Sequence, residues 1–289
     1  MSKLVRLIAV DLDGTLLNEE NQISQKNLEA IQYAQANGVE VVIATGRAHF
    51  DVQNLIKNTG LKTWIIGANG ATIHQPGGEL FHSVPINPDD AFHILNWLEQ
   101  EEYYYEIFSQ DSILSPQNGR ELLAIEMDRV KSANPEVSIK QLKEAAEKQY
   151  SQTGFSFITS YKELCDTNVD VYNILAFSFD EEKLKIGKTQ FKQLKDITMV
   201  TSAKHNFEFE HKSASKGIAL EILANKLELN LADTAAVGDS NNDLSMLRMA
   251  GRSAAMGNAS KEIKDSCQEV TLTNIEDGVA HFIYSLLRE

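Results

Sequence analysis

"LIAVDLDGTLL", residues Leu7 to Leu17, opens as an apolar strand and closes on two carboxylates separated by one leucine. Asp11 and Asp13 flank Leu12, and Gly14-Thr15 turn the chain directly afterwards. Asp-Gly is a common turn pair, so a surface turn is the plain reading. The rest of the chain argues for another one.

The first third alternates strand and helix. "KLVRLIAV" reads as a buried strand, and Ser24 is placed to cap a helix bearing Leu28, Ile31 and Ala34 that ends near Gly38. "VEVVIATGR" reads as a second strand, followed by a helix through "FDVQNLIKN" and a third strand in "TWIIGANGA". Apolar strands separated by amphipathic helices predict a parallel sheet covered on both faces. Binding groups gather at the carboxyl ends of such strands, and Asp11, Thr45 and Asn69 each stand at one.

"ATIHQPGGELFHSV" has the pattern of a hairpin with Pro76-Gly77-Gly78 at its tip. Beyond Pro85 the style changes. Helices around "DDAFHILNWLEQ", "GRELLAIEMDRVK" and "IKQLKEAAEK" interleave with strands such as "YYYEIFSQ", "VYNILAFSF" and "ITMVTSA", which predicts α+β material with antiparallel pairing. After "NFEFEH" the first style returns with "SKGIALEILANKL", "TAAVGD", "DLSMLRMA", "RSAAMG" and a last helix. The expected architecture is therefore an α/β protein. A Rossmann-like parallel-sheet core is built from residues 1–83 and 211–289, and an α+β domain of residues 84–210 is inserted into it.

With 43% hydrophobic and 24% charged residues, the 289-residue chain has the composition of a soluble globular protein. Its formal net charge of -14 argues against nucleic acid or anionic membrane as a partner. Cys165 and Cys267 have no metal-ligand spacing and read as small buried residues in a reducing cytoplasm. The first apolar stretch, broken by Arg6, is too short for a secretion signal or a bilayer span. The seven histidines form no cluster, His205 and His211 read as surface residues, and "YYYEIF" reads as strand core and edge. No residue pattern specifies an oligomeric state.

"TAAVGDSNNDLSM" supplies a second acid cluster, Asp239 and Asp243, after another apolar strand. Asp239, Asn241 and Asp243 open like a calcium loop, but Leu244 and Ala250 stand where that loop needs glycine and glutamate. If both clusters share one sheet end, Asp11, Asp13, Asp239 and Asp243 converge. Two carboxylates ~4 Å apart repel by roughly 4 kcal/mol at an effective dielectric near 20. Such a group needs a cation or a proton, and oxygen ligands without histidine or cysteine select a hard ion, Mg²⁺ foremost. Groups suited to an anion are also present: the Thr45 hydroxyl, the Gly46 N–H, the Asn242 amide and Lys216 at a helix start.

"DLDGT", "TGR", Lys216 in "SKG" and "GDSNND" resemble, in order, the four motifs of the haloacid dehalogenase superfamily. The long insert after "TGR", with "ANGA", resembles the Cof-type phosphatases that carry a C2 cap. The resemblance implies that Asp11 is a nucleophile and Asp13 a general acid and then base, with neighbouring carboxylates favouring the protonated form of Asp13. It implies Mg²⁺ on Asp11, the Asp13 carbonyl and Asp239, with Ser240 nearby and Asp243 in support. Leu12 N–H, Thr45, Gly46, Lys216 and Asn242 would bind the phosphoryl group. Arg47 is expected to be structural or to support the site residues from behind, and Asn69 to line the substrate entrance or merely make a turn.

An aspartate at position 13 suits a leaving alcohol, which needs a proton donor. The expected activity is hydrolysis of small phosphorylated metabolites such as sugar phosphates, with the insert closing as a cap over Asp11. The competing readings are a phosphomutase and a non-catalytic phosphometabolite sensor. Intact Asp11 and Asp13 speak against the sensor.

Overall fold

The computed structural model describes residues 5–150, 152–201 and 203–288 and divides into two compact units. One joins the chain up to Ser83 to the chain from Ser213 onward; the other is Val84–Lys212. Strand β1 is Leu7–Val10, with all four residues buried. Lys3 and Leu4, at the start of the predicted strand, lie outside the described residues. Helix α1, Gln25–Ala36, begins where the Ser24 hydroxyl accepts the Asn27 N–H at 3.1 Å, and it turns Ala30, Ile31 and Ala34 inward. Then follow β2 (Glu40–Ala44), α2 (His49–Ile56) and β3 (Trp64–Gly67). Strands β4 (Thr72–His74) and β5 (Leu80–Ser83) form the expected hairpin.

The second unit carries α3 (Pro88–Gln100), β6 (Tyr104–Phe108), β7 (Ile113–Pro116), α4 (Gly119–Ala133) and α5 (Ile139–Gln149). It continues with β8 (Phe155–Ile158), β9 (Asn173–Phe177), α6 (Glu181–Gln190), β10 (Ile197–Val200) and β11 (Asn206–His211). Its sheet runs β10-β11-β9-β6-β7-β8. Pairing is antiparallel except between β7 and β8, which are parallel. Tyr103, Tyr105, Ile107, Ile174, Phe207 and Phe209 pack on one side with Ile94, Leu95 and Leu98 of α3. "YYYEIF" is therefore interior sheet rather than edge, since β6 lies between β9 and β7.

Two surface and packing expectations change here. The His205 ring packs on Phe177 and Phe179, at centroid distances of 5.9 and 5.2 Å, so it is half-buried rather than a surface residue. His211 is half-buried as well. Cys165 is exposed and Cys267 half-buried, because Tyr161 and Leu164 take the inward positions of the turn before Cys165.

The chain returns to the first unit with α7 (Lys216–Lys226), β12 (Thr234–Gly238), α8 (Leu244–Met249), β13 (Arg252–Ala255), α9 (Lys261–Asp265), β14 (Glu269–Val270) and α10 (Gly278–Arg288). Among the described residues its sheet runs β14-β13-β12-β1-β2-β3-β4-β5, parallel from β14 to β3. Alternate strand residues feed two apolar layers. Ile8, Val10, Ile43 and Val237 meet Ile31, Val52, Phe282 and Ile283 on one face. Leu7, Ala9, Val42 and Ala236 meet Leu220, Leu223, Met246 and Ile263 on the other. Burial on both faces explains why these strands read as continuous apolar runs. Val10 pairs with Val237 on one side and Ile43 on the other, so the residues just beyond all three strands emerge side by side.

Candidate active site

At that shared end the chain turns abruptly. Asp11 follows β1 and donates its N–H to the Val237 carbonyl at 3.0 Å, which places it beside the end of β12. Gly238 then leads into Asp239. The turn Leu12–Leu16 sends the Leu12 and Leu16 side chains into the core. Gly14 has φ +78°, and a Cβ there would lie 2.7 Å from Asp239 Oδ2, so only glycine lets the two acid loops close on each other.

One carboxylate oxygen from each of Asp11, Asp239 and Asp243 lies within 4.8 Å of the others. Lys216 is fully buried among them. Its Nζ donates to Asp11 Oδ1 at 2.6 Å and to Asp243 Oδ1 at 2.7 Å. A lysine in the first turn opposes the helix dipole of α7, and the two carboxylates offset that. The Ser215 hydroxyl caps the same helix by accepting the Ile218 N–H at 3.1 Å.

Asp243 also closes its own loop. Its Oδ2 accepts the N–H groups of Asp239 and Ser240, each at 3.0 Å. With one oxygen on Lys216 and the other on the backbone, Asp243 holds the loop and the lysine in place. Asp239 Oδ1 accepts the Thr15 hydroxyl at 3.0 Å.

These carboxylates are crowded; Asp11 and Asp243 are buried and Asp239 half-buried. Burial pushes the Asp11 carboxyl well above its ordinary value, and the Asp243 charge adds to this while Lys216 opposes it. Burial pushes Asp239 up to about 6, again reinforced by Asp243. The Lys216 ammonium is held more tightly than usual: burial works against its charge, but Asp11 and Asp243 outweigh that. One ammonium among three acids leaves an excess of negative charge, and the donors are all oxygen. The set fits a hard divalent ion better than a soft one.

Asp13 differs from the expectation. Its carboxylate is not among the three that gather. Arg47 holds it through two bonds, Nε to Oδ2 at 2.8 Å and Nη2 to Oδ1 at 2.7 Å. The neighbour of Asp13 is thus a guanidinium, not the crowd of carboxylates that the sequence suggested would protonate it. Arg47 Nη1 also reaches the buried Asp51, in the first turn of α2, at 2.9 Å.

The anion-binding candidates line the next strand ends. Thr45 follows β2, is buried, and its hydroxyl oxygen accepts the Arg47 N–H at 3.2 Å. A Cβ at Gly46 would lie 3.0 Å from Asn69 Oδ1. Asn69 accepts from Asn242 Nδ2 at 3.0 Å, and its own N–H donates to the Thr45 carbonyl at 2.9 Å. Asn69 is buried at φ +52°, so it links the loops after β3 and β12 rather than making an ordinary surface turn. Ser240 donates its hydroxyl to Asn242 Oδ1 at 2.5 Å.

Three participants were not read from the sequence. Thr15 sits inside "DLDGT", where its hydroxyl position was the available signal. Asp51 follows Arg47 at i+4, a spacing that signals an ion pair on a helix. Asn258, in "MGNAS" after β13, donates from Nδ2 to the Gly14 carbonyl at 2.8 Å, and a Gly-Asn pair at a strand end was its signal.

Residues 8–283 match the haloacid dehalogenase-like hydrolase family. The chain is 54% identical over 285 residues to phosphatase YwpJ of Bacillus subtilis, covering 98% of this chain and 100% of that protein. It is 41% identical over 283 residues to the 5-amino-6-(5-phospho-D-ribitylamino)uracil phosphatase YwtE of the same organism, covering 98% of each. The solved structure of a haloacid dehalogenase-like hydrolase from B. subtilis superimposes with a TM-score of 0.85 at 54% identity, covering 97% of this chain and 99% of that one. No described helix is long and apolar enough to cross a membrane.

Proposed function

This chain belongs to the haloacid dehalogenase-like hydrolase family, and we propose that it is a Mg²⁺-dependent phosphatase of small phosphorylated metabolites that works through an aspartyl-phosphate on Asp11. The observation that carries this reading is the buried Lys216, bonded at once to Asp11 and Asp243 beside Asp239. Two phosphatases among the relatives support the reaction type, and the name of one specifies a small phosphate ester as its substrate.

Asp11, Asp239 and the Asp13 carbonyl would hold the ion, with Ser240 nearby. Bound there, Mg²⁺ neutralises charge on the phosphoryl oxygens. The remaining steps belong to the chain. An Asp11 oxygen attacks phosphorus while the bond from phosphorus to the leaving alkoxide breaks, and Asp13 gives that alkoxide its proton. Asp13 then takes a proton from water, the water oxygen attacks the same phosphorus, and the Asp11–phosphate bond breaks to release inorganic phosphate. Lys216 fixes the rotation of the Asp11 carboxylate. The Thr45 hydroxyl, Asn242 and the N–H groups of Leu12 and Gly46 bind the equatorial oxygens. For this cycle the Asp13 carboxyl must first take up a proton from solvent and then turn from Arg47, which sets the position it turns from, to the substrate oxygen.

The test is phosphate release over a panel of phosphate monoesters, with and without EDTA, using Asp11→Asn as the blank. Turnover that needs Mg²⁺ and is lost in the variant supports the reading. Turnover untouched by EDTA or by the variant overturns it.

A further inference from the structure

The turn that carries Asp13 is clasped by side-chain amides. Within it, the Leu16 N–H donates to the Asp11 carbonyl at 3.2 Å and the Leu17 N–H to the Leu12 carbonyl at 2.9 Å. Those two bonds close the turn and leave later carbonyls to be met from outside. Asparagines from three separate stretches meet them. Asn258 Nδ2 donates to the Gly14 carbonyl at 2.8 Å, and Asn274 Nδ2 to the Leu17 carbonyl at 2.8 Å. The buried Asn27 donates to the Leu16 carbonyl at 3.4 Å, and its own Oδ1 accepts the Ala280 N–H at 2.9 Å.

Two of these asparagines form one piece. Asn258 Oδ1 accepts the Asn274 N–H at 3.0 Å, so both ends of the Asn258 amide are used and its orientation is fixed. The loops that carry them are joined as well. The Gly257 N–H donates to the Leu272 carbonyl at 2.9 Å, and a Cβ at Gly257 would lie 2.8 Å from the Thr273 nitrogen. The loops after β13 and β14 thus press together, and their amides grip the turn at Gly14 and at Leu17. Gly14 follows Asp13 directly, so a shift of its carbonyl is felt at once by the Asp13 backbone.

The pair contributes little packing. Asn258 is exposed and Asn274 half-buried, and neither belongs to the apolar layers of the first unit. An exposed amide adds little to global stability. An error of about an ångström in the placement of a proton donor costs on the order of a hundredfold in rate. What these two side chains supply is position.

We propose that Asn258 and Asn274 are positioning residues that hold the Asp13 turn in register with Asp11 for proton transfer to the leaving group. The role given to Asp13 rests on the phosphatase reading; the clasp itself does not.

Asn258→Ala releases the Gly14 carbonyl and the Asn274 N–H, whereas Asn274→Ala releases the Leu17 carbonyl and keeps its own N–H on Asn258. The first measurement is hydrogen–deuterium exchange on the full chain in EDTA, read on peptides covering residues 12–17. The Leu16 and Leu17 amides are expected to exchange roughly tenfold faster or more in both variants, with peptides of α7 unchanged. The second is kcat/KM with Mg²⁺ for phenyl phosphate and for p-nitrophenyl phosphate. Phenoxide is a far stronger base than nitrophenoxide, so its departure depends more on a well-placed proton. Both variants are expected to lose roughly tenfold or more on phenyl phosphate and less than about threefold on p-nitrophenyl phosphate. Equal losses on the two esters, which a merely structural role would give, or unchanged exchange at Leu16 and Leu17, would overturn the inference. A parent chain that turns over neither ester would instead refute the phosphatase reading, and the exchange rates alone would then decide the clasp.

Discussion

Arg47 grips both oxygens of Asp13, at 2.8 and 2.7 Å, while a third nitrogen of the same guanidinium holds Asp51 at 2.9 Å. A planar fork of this kind cannot be reproduced by a lysine. Arg47→Lys should leave the Asp11–Lys216–Asp243 cluster intact and misplace Asp13 by about an ångström, which lowers kcat roughly ten- to a hundredfold. The check is steady-state turnover of p-nitrophenyl phosphate beside a urea melt. A variant with unchanged kcat would remove Arg47 from any role in positioning Asp13.

Lys216 is fully buried and pairs with two carboxylates. Replacing it by methionine keeps most of the aliphatic stem but strands Asp11 and Asp243 as buried acids without their ammonium. Breaking such a buried pair costs about 3–5 kcal/mol. Lys216→Met should lose that much stability in EDTA by chemical denaturation. It should recover part of it when Mg²⁺ is added, because a cation that binds only the folded state stabilises it.

Gly14→Ala tests the closeness of the two acid loops. The substitution forces a side chain onto φ +78° and into Asp239 Oδ2. The backbone penalty alone is about 1–2 kcal/mol. Displacement of Asp239 should weaken Mg²⁺ binding at least tenfold in a direct titration. Retention of wild-type affinity would show that Asp239 is not held where the ion binds.

Glu106 makes a pH-dependent statement about the second unit. Burial pushes its carboxyl from 4.5 up to about 7, with its Tyr104 and Gln149 bonds opposing and the Glu208 charge adding to the rise. The folded chain then keeps a proton that the unfolded chain has released, so stability from this group falls as pH rises from 4.5 to about 7. Glu106→Gln should remove that loss. Its advantage over the parent in urea melts should grow across the same window to about 3 kcal/mol. A gap independent of pH would contradict the burial of an ionising group there.

The strand ends were legible because parallel sheets leave a period of their own: apolar run, polar turn, helix. Asp11, Thr45, Asn69 and Asp239 could be placed on one edge from that alone, and the parallel register brings them together. Lys216 was legible from its place at a helix start. Asp13 was not, because which way a side chain turns from a tight loop depends on its rotamer and on Arg47, which is distant in sequence. The polar face of the second sheet was also hidden. "NFEFEH" alternates as a strand with one wet side would, and only pairing across β6, β9 and β11 reveals that Glu208 and Glu210 face Asn173 in the dark.

The proposed covalent step at Asp11 can be caught directly. The enzyme is mixed with p-nitrophenyl phosphate and Mg²⁺, quenched in acid within the first turnover, digested, and its peptides weighed by mass spectrometry. A hydroxylamine-labile phosphoryl group on the peptide containing Asp11, absent from Asp11→Asn, is the expected result. Continuing turnover with the phosphoryl group on another residue, or undiminished turnover in Asp11→Asn, would contradict it.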